Sequence, residues 1–304
     1  MSLLTGFVTI IAVIAGGALL AHVRLVDMRG QRTLADVSFF AATPALMLLT
    51  ISKVPLGGDL GANLLASAGS LLAAATTYAV FARLVLRVDR GSVLVGALCS
   101  SYVNAGNLGI AVASYVVGDT AVVVPTLLVQ ILCVQPLALA ALDRRAGLRG
   151  EGGNPWRRLL TNPLTLAAGG GLVLAATDTR LPGMVEAPVR LLAGLAIPAM
   201  LLAYGASLRL NPPAGRSGHN REVALAAPIK LAFQPLVAWA VGLALGLSGP
   251  ALLGVVITAA LPTAQNIFLH ATRYRVGEGV ARETILVTTL LSLPVALAVA
   301  VLLG

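Results

Sequence analysis

SYVNAGNLGIAV, residues Ser101 to Val112, interrupts an apolar segment that runs from about residue 92 to 117 and is long enough to cross a bilayer. Asn104 and Asn107 are three residues apart and would share one face of a helix, while Gly106 weakens that helix. A broken helix at membrane depth is tolerated only where it is buried in protein or lines a wet cavity. We therefore predict a binding site at this stretch.

Composition places the chain in a membrane. Of its 304 residues, 58% are hydrophobic, 11% are charged and 4% are aromatic, which excludes an ordinary soluble domain and favours helices over a membrane barrel. The net charge of +9 is expected to reflect basic cytoplasmic loops and not nucleic-acid binding. Cys99 and Cys133 are expected to be small buried hydrophobes without a disulfide.

The apolar pattern predicts an all-α membrane protein with ten transmembrane helices. The spans are expected at about 3–22, 34–52, 61–82, 92–117, 120–142, 159–177, 188–208, 223–246, 250–271 and 284–303. Loops after odd-numbered spans hold seventeen Lys and Arg residues, and loops after even-numbered spans hold three. This bias places the odd loops in the cytoplasm and both termini outside. Because the first arginine follows the first apolar run, that run is expected to be a retained span.

The two halves of the chain resemble each other. At an offset of 154 residues Gly16-Gly17 corresponds to Gly170-Gly171, and Pro44-Ala-Leu corresponds to Pro198-Ala-Met. At an offset of 158 residues Asn104 corresponds to Pro262. Repeats of five spans, over 1–154 and 155–304, would enter the membrane with opposite orientations, as in many secondary transporters. The alternative is chance similarity between Leu- and Ala-rich helices.

A second break is predicted in span nine, where Pro262 removes a backbone donor from the helix. Thr263, Gln265 and Asn266 add polar side chains at the place that matches the break in span four. If broken helices 4 and 9 cross, the N-termini of their half-helices favour an anion at the midplane. The competing interpretation is close packing of glycine-rich helices.

None of the twelve acidic residues falls in the middle of a predicted span. Lys230 lies about two turns into span eight with Gln234 one turn deeper, and it either balances charge at the site or snorkels to the surface. His270 either titrates during transport or is interfacial. Gln130 and Gln135 make span five polar and are candidates to line the same cavity.

The motifs N-A-G-N-L-G in span four, P-A-L and P-A-M in spans two and seven, and L-P-T-A-Q-N-I-F-L-H-A-T-R-Y in span nine resemble the auxin efflux carrier family. The bacterial branch of this family includes permeases labelled malonate or malate transporters. The resemblance covers essentially the whole chain. It implies ten spans in two inverted five-helix repeats, as in the bile-acid/sodium symporter fold.

The resemblance also implies that the spans form two parts, a scaffold and a transport domain. Spans 1, 2, 6 and 7, at 1–58 and 155–212, would form a scaffold that is often dimeric. Spans 3–5 and 8–10, at 59–145 and 218–304, would form a transport domain that moves against it, as an elevator. Family members bind the carboxylate of an organic anion at positions that match Asn104, Asn107 and Pro262.

The chain departs from the plant members of that family at two places. Their span-eight lysine and glutamine are matched by Lys230 and Gln234, but the aspartate that faces the lysine has no counterpart in span three here. Ion coupling therefore does not carry over with the resemblance. The long regulatory loop of the plant proteins is replaced by the short basic connector 143–158.

The sequence thus predicts a secondary transporter of a small mono- or dicarboxylate in the cytoplasmic membrane, working by alternating access, with H⁺ or Na⁺ as candidate coupling ions. The alternatives are a sodium-coupled symporter of the bile-acid type and a cation/proton antiporter. An intramembrane enzyme is disfavoured because no G-x-S-x-G, H-E-x-x-H or carboxylate pair occurs in a span. The predicted substrate-binding residues are Asn104, Gly106, Asn107, Pro262, Thr263, Gln265 and Asn266, with no metal or cofactor.

Overall fold

The computed structural model of the protein describes residues 3–53, 57, 59–145, 161–210 and 218–303. These residues form helices joined by short turns. The helices are α1 Leu3–His22, α2 Met28–Ile51, α3 Leu60–Leu84, α4 Arg90–Ser101, α5 105–117, α6 Thr120–Arg145, α7 Pro163–Ala176, α8 Gly183–Leu210, α9 Asn220–Ala244, α10 Gly249–Ala259, α11 Asn266–Tyr274 and α12 Glu278–Leu303.

Six of the described helices are long and apolar enough to cross a membrane, namely α2, α3, α6, α8, α9 and α12. Shorter apolar helices occupy Val8–His22, Pro163–Ala176 and Gly249–Ala259. The protein is therefore an all-α, multi-pass membrane protein, as its composition predicts. The number of ten spans stays a prediction, because length and apolarity alone qualify six helices.

Three long helices contain a wide π-turn shortly before a proline. The π-turns are Ser38–Ala42, Gln130–Val134 and Ile229–Phe233, and each ends two residues before Pro44, Pro136 or Pro235. Proline has no N–H group and its ring crowds the preceding turn, so the hydrogen-bond ladder shifts there. Two of the turns carry the polar side chains Gln130 and Lys230 into the protein interior.

Several helices begin earlier than the apolar pattern predicts. α2 begins at Met28 instead of residue 34, and Asp27 caps it by accepting a hydrogen bond from the Gly30 N–H at 2.7 Å. α12 begins at Glu278 instead of residue 284. Hydropathy locates the part of a helix that lies in lipid, whereas a capping residue sets where the helix begins.

The chain divides into two compact units, which are described separately. The first unit comprises Met1–Leu60, Gly106–Val124 and Leu159–Pro212. The second unit comprises Gly61–Ala105, Pro125–Arg158 and Pro213–Gly304.

In the first unit, glycines allow close approach between two pairs of helices. A Cβ atom on Gly17 of α1 would lie 2.2 Å from the carbonyl oxygen of Leu202 of α8. A Cβ atom on Gly171 of α7 would lie 3.0 Å from the carbonyl oxygen of Leu48 of α2. Backbone atoms lie at both contacts, so a larger residue at Gly17 or Gly171 would force the helices apart.

In the second unit, α3, α4 and α9 share a core in which the buried Tyr78 lies against Gly96. Cys99 is fully buried in a neighbouring core, as expected from its apolar surroundings. The same expectation for Cys133 is wrong, because Cys133 is exposed on α6. In a membrane protein the outward face of a helix is also apolar, so an apolar neighbourhood does not indicate burial.

Candidate functional site

Two breaks in the helices of the second unit meet each other directly. Residues 102–104 follow α4, residues 260–265 follow α10, and Val103 pairs with Thr263 as an isolated antiparallel bridge. The N–H of Asn104 donates to the Pro262 carbonyl at 2.8 Å, and the N–H of Ala264 donates to the Tyr102 carbonyl at 3.1 Å. The broken segments predicted from the sequence therefore cross, and each satisfies backbone groups of the other.

Gln130 of α6 completes the hydrogen bonding of the first broken segment. Its Oε1 accepts from the Val103 N–H at 2.6 Å, and its Nε2 donates to the Val103 carbonyl at 3.0 Å. The side chain is 1% exposed. The oxygen and the nitrogen of the Gln130 amide both bind the backbone of Val103. Gln130 would therefore hold the first broken segment in place and would not itself bind a solute in a cavity.

Thr263 is held in the second broken segment by bonds on both sides. Its hydroxyl donates to the Cys99 carbonyl, and its N–H donates to the Thr288 hydroxyl of α12 at 3.2 Å. Pro262 precedes it and can accept but not donate. These bonds make the crossing a rigid element, because the buried backbone is paired on both strands.

Two side chains of α9 bind the C-terminal ends of both helices that lead into the crossing. Lys230 Nζ donates to the carbonyl of Ala259, the last residue of α10, at 2.8 Å. Gln234 Nε2 donates to the carbonyl of Ser101, the last residue of α4, at 2.9 Å. Both side chains are fully buried, so Lys230 does not snorkel to the surface. Side-chain donors at these ends pair the free carbonyls of each helix C-terminus.

The polar side chains beside the crossing are incompletely paired. The buried side chain of Asn104 makes no hydrogen bond within the described residues, and the same holds for the half-buried Gln265. Among the same residues Asn266 Oδ1 and Gln234 Oε1 are buried atoms without a partner. Buried polar groups normally have hydrogen-bond partners, so this set has unused capacity to bind a polar solute.

Tyr102 extends the polar region towards α6 and α11, and the motif reasoning missed it. Its hydroxyl donates to Gln135 Oε1 at 3.2 Å, and Asn266 lies close to it. His270 lies one turn after Asn266 and is half-buried. The position of Tyr102 within S-Y-V-N was the available signal, since a tyrosine beside a break can present its hydroxyl to the polar region.

Two predicted residues lie beyond the broken segment at the start of α5. Gly106 is half-buried there and belongs to the compact unit that contains α1. The backbone of Asn107 lies in the same helix, but its side chain is outside the described part of the structure. Its role in binding therefore stays a prediction from the sequence.

The fold and the crossing define a class of protein: a multi-pass helical membrane protein with two broken helices that pair inside one compact unit. A family model described as "Membrane transport protein" matches residues 152–299. A protein of Rhizobium meliloti (strain 1021) named "Putative malonate transporter" is 30% identical over 294 residues, or 88% of this chain and 86% of that protein.

The chain belongs to the membrane transport protein family, and the resemblance to the auxin efflux carriers is confirmed. The protein is a transporter and not an enzyme.

Proposed function

We propose that this protein is a secondary transporter of small organic anions, with the substrate carboxylate bound beside the crossing of the two broken helices. The observation that carries the proposal is Asn104, a residue only 3% exposed whose side chain makes no hydrogen bond within the described residues, next to the backbone bridge between Val103 and Thr263. A buried amide without a partner costs free energy unless a ligand or water satisfies it.

The start of α11 supports a negative substrate. α11 begins at Asn266 immediately after the crossing, and the N-terminus of a helix carries a partial positive charge. Gln265 and Asn266 add amide donors at the same helix start. A mono- or dicarboxylate such as malonate, which the name of the Rhizobium relative mentions, has the charge and acceptors that this arrangement favours.

Ten spans in two inverted repeats, 1–154 and 155–304, are the proposed architecture, with both termini outside. The reciprocal glycine contacts support it. Gly17 lies against Leu202, and Gly171 lies against Leu48. Each glycine is 154 residues from the other, and so is each leucine. Contacts exchanged in this way are expected when two copies of one motif are related by a two-fold axis.

Alternating access is the proposed mechanism, with the second compact unit as the transport domain and α1, α2, α7 and α8 in a scaffold that forms a homodimer. The bonds through Gln130, Thr263 and Gln234 support movement of the crossing as one body, since all of them lie within the second unit. The bacterial relative supports placement in the cytoplasmic membrane.

Lys230 balances charge at the substrate site in this proposal. It binds the Ala259 carbonyl at the end of α10, where a coupling cation would otherwise find a carbonyl ligand. Transport would then need no sodium ion at the Ala259 carbonyl. It would be coupled to protons or would proceed by facilitated diffusion. The sodium-coupled symporter and the cation/proton antiporter remain the competing functions.

Malonate binding and uptake by purified protein in proteoliposomes test the proposal. We expect uptake of malonate, competition by other small carboxylates, and loss of both binding and uptake in Asn104→Ala. Asn63→Ala, which removes an amide from α3, is the matched control and should behave as wild type. Wild-type malonate affinity in a folded Asn104→Ala protein would overturn the proposed site. Uptake that requires a sodium gradient would favour the symporter.

A further inference from the structure

An apolar groove with an arginine at one end lies on the second unit, apart from the crossing. It has a volume of about 500 Å³ and runs along α3, with α4 contributing Ala97. Ala75, Thr76, Ala79, Val80 and Arg83 line it. The alanines fill little space beyond Cβ, and positions four residues apart lie in a row on α3, so the groove follows that face of the helix.

Positive charge gathers at the end of the groove formed by the C-terminus of α3. Arg83 Nη1 donates to the Val88 carbonyl at 3.1 Å, which places its guanidinium over the turn that carries Arg87 and Arg90. The acid in this turn, Asp89, is bound by Arg145 at 2.7 Å and does not neutralise Arg83. The end of the groove therefore keeps an excess of cationic donors.

Arg87 itself has a left-handed backbone conformation, with φ of 57°. Most helix ends that need this conformation use glycine, as Gly118 and Gly246 do after α5 and α9. An arginine there costs free energy that glycine would not.

We propose that this groove binds one anionic phospholipid, with an acyl chain along the alanines of α3 and the phosphate at Arg83 and Arg87. The groove is apolar where lipid tails lie and basic at one end, which is the complement of an amphiphile with a negative head group. By the excess of basic residues in its loop, this end faces the cytoplasm, where anionic head groups attract basic residues beside helices.

Native mass spectrometry of the purified full-length protein tests the inference, with dioleoyl phosphatidylglycerol and dioleoyl phosphatidylcholine as probes. We expect phosphatidylglycerol to be retained at least several-fold more than phosphatidylcholine. Arg83→Ala and Arg87→Gly should each remove that preference. Val80→Trp, which places a ring in the groove, should reduce retention of both lipids.

Two controls keep these outcomes interpretable. Arg32→Ala removes a basic residue of the first unit and should leave phosphatidylglycerol retention unchanged. Arg87→Gly relieves the left-handed arginine and should not lower the unfolding temperature, so its effect cannot be attributed to misfolding. Equal retention of phosphatidylglycerol in wild type, Arg87→Gly and Val80→Trp would overturn the proposal. So would a change of oligomeric state in Val80→Trp without lipid loss, which would make the groove a protein interface.

Discussion

The ammonium nitrogen of Lys230 lies 2.8 Å from the carbonyl oxygen of Ala259, where α10 ends at the crossing. Gln234, one turn along α9, makes the equivalent bond to Ser101 at the end of α4. One face of α9 thus binds both helices that lead into the crossing. This relationship connects a charge inside the membrane with the position of the proposed site.

Lys230→Met is expected to reduce malonate uptake about tenfold, because it removes the hydrogen bond that positions the end of α10 at the crossing, and about 1.4 kcal/mol of binding free energy is a factor of ten. Methionine is similar in length and apolar, so the protein should remain folded. Uptake by proteoliposomes measures the effect. Lys53→Met, which changes the other lysine of the chain at an exposed position, is the control. Undiminished uptake by the Lys230 variant would contradict a role for this charge.

Gln130→Ala should destabilise the protein, because it leaves the buried N–H and carbonyl of Val103 without partners. Each unsatisfied group costs about 1–3 kcal/mol. Thermal unfolding in detergent measures the loss. Gln135→Ala removes only the acceptor of the Tyr102 hydroxyl and should cost less. If the two variants unfold at the same temperature, the two hydrogen bonds between Gln130 and Val103 contribute no more than the one between Tyr102 and Gln135.

Gly205→Ala should separate α1 from α8, because the new Cβ would lie 1.8 Å from the carbonyl oxygen of Ile14. Backbone cannot yield as a flexible side chain does, so a cost of about 1–3 kcal/mol is expected. At Gly169 a Cβ meets nothing within 4 Å, and Gly169→Ala should be neutral or stabilising by up to about 1 kcal/mol. Melting temperatures in the opposite order would show that the two helices do not pack closely at Gly205.

Asp89 should make stability depend on pH in the acid range. Hydrogen bonds from Ser92, the N–H of Gly91 and the nearby Arg145 charge hold the pKa of this carboxyl below its usual value. Because the pKa is lower in the folded protein, the charged carboxyl stabilises the folded state fully at pH values above the pKa of the unfolded chain, about 3.9. This stabilisation is lost as the pH falls through the pKa of the folded state. Asp89→Asn keeps a capping residue and removes the charge.

Thermal unfolding of wild type and Asp89→Asn between pH 7 and pH 3 checks this sign. Wild type should be the more stable at neutral pH, by a small amount because the pair is exposed. The difference should shrink below about pH 4, where the carboxyl takes up a proton. A difference that grows as the pH falls would have the wrong sign for a lowered pKa.

Local patterns were sufficient where the cause is local. The break at Pro262 was predictable because proline has no backbone donor, and the π-turns before Pro136 and Pro235 follow from the same chemistry. The early start of α2 was also visible in principle, since Asp27 is a typical capping residue. Burial of Cys133 was mispredicted because lipid-facing and buried positions have the same apolar composition.

Roles that depend on distant partners could not be predicted. Gln130 looked like a cavity residue because it is polar in an apolar helix, yet its partner Val103 is 27 residues away. Tyr102 was not among the predicted site residues, and its bond to Gln135 is visible only where the structure places α6 beside the broken segment. That Gln130 binds backbone and Gln135 binds a tyrosine hydroxyl depends on this placement.

The amino-acid sequence alone determined that the chain is helical, enters the membrane repeatedly and breaks two helices at matched positions, because hydropathy, charge bias and proline act over a few residues. Only the tertiary structure decided that the breaks pair with each other, that Lys230 is buried against Ala259, and that the Asn104 side chain has no hydrogen-bond partner among the described residues. These outcomes depend on which buried polar groups meet, and that is settled by packing between segments far apart in the chain.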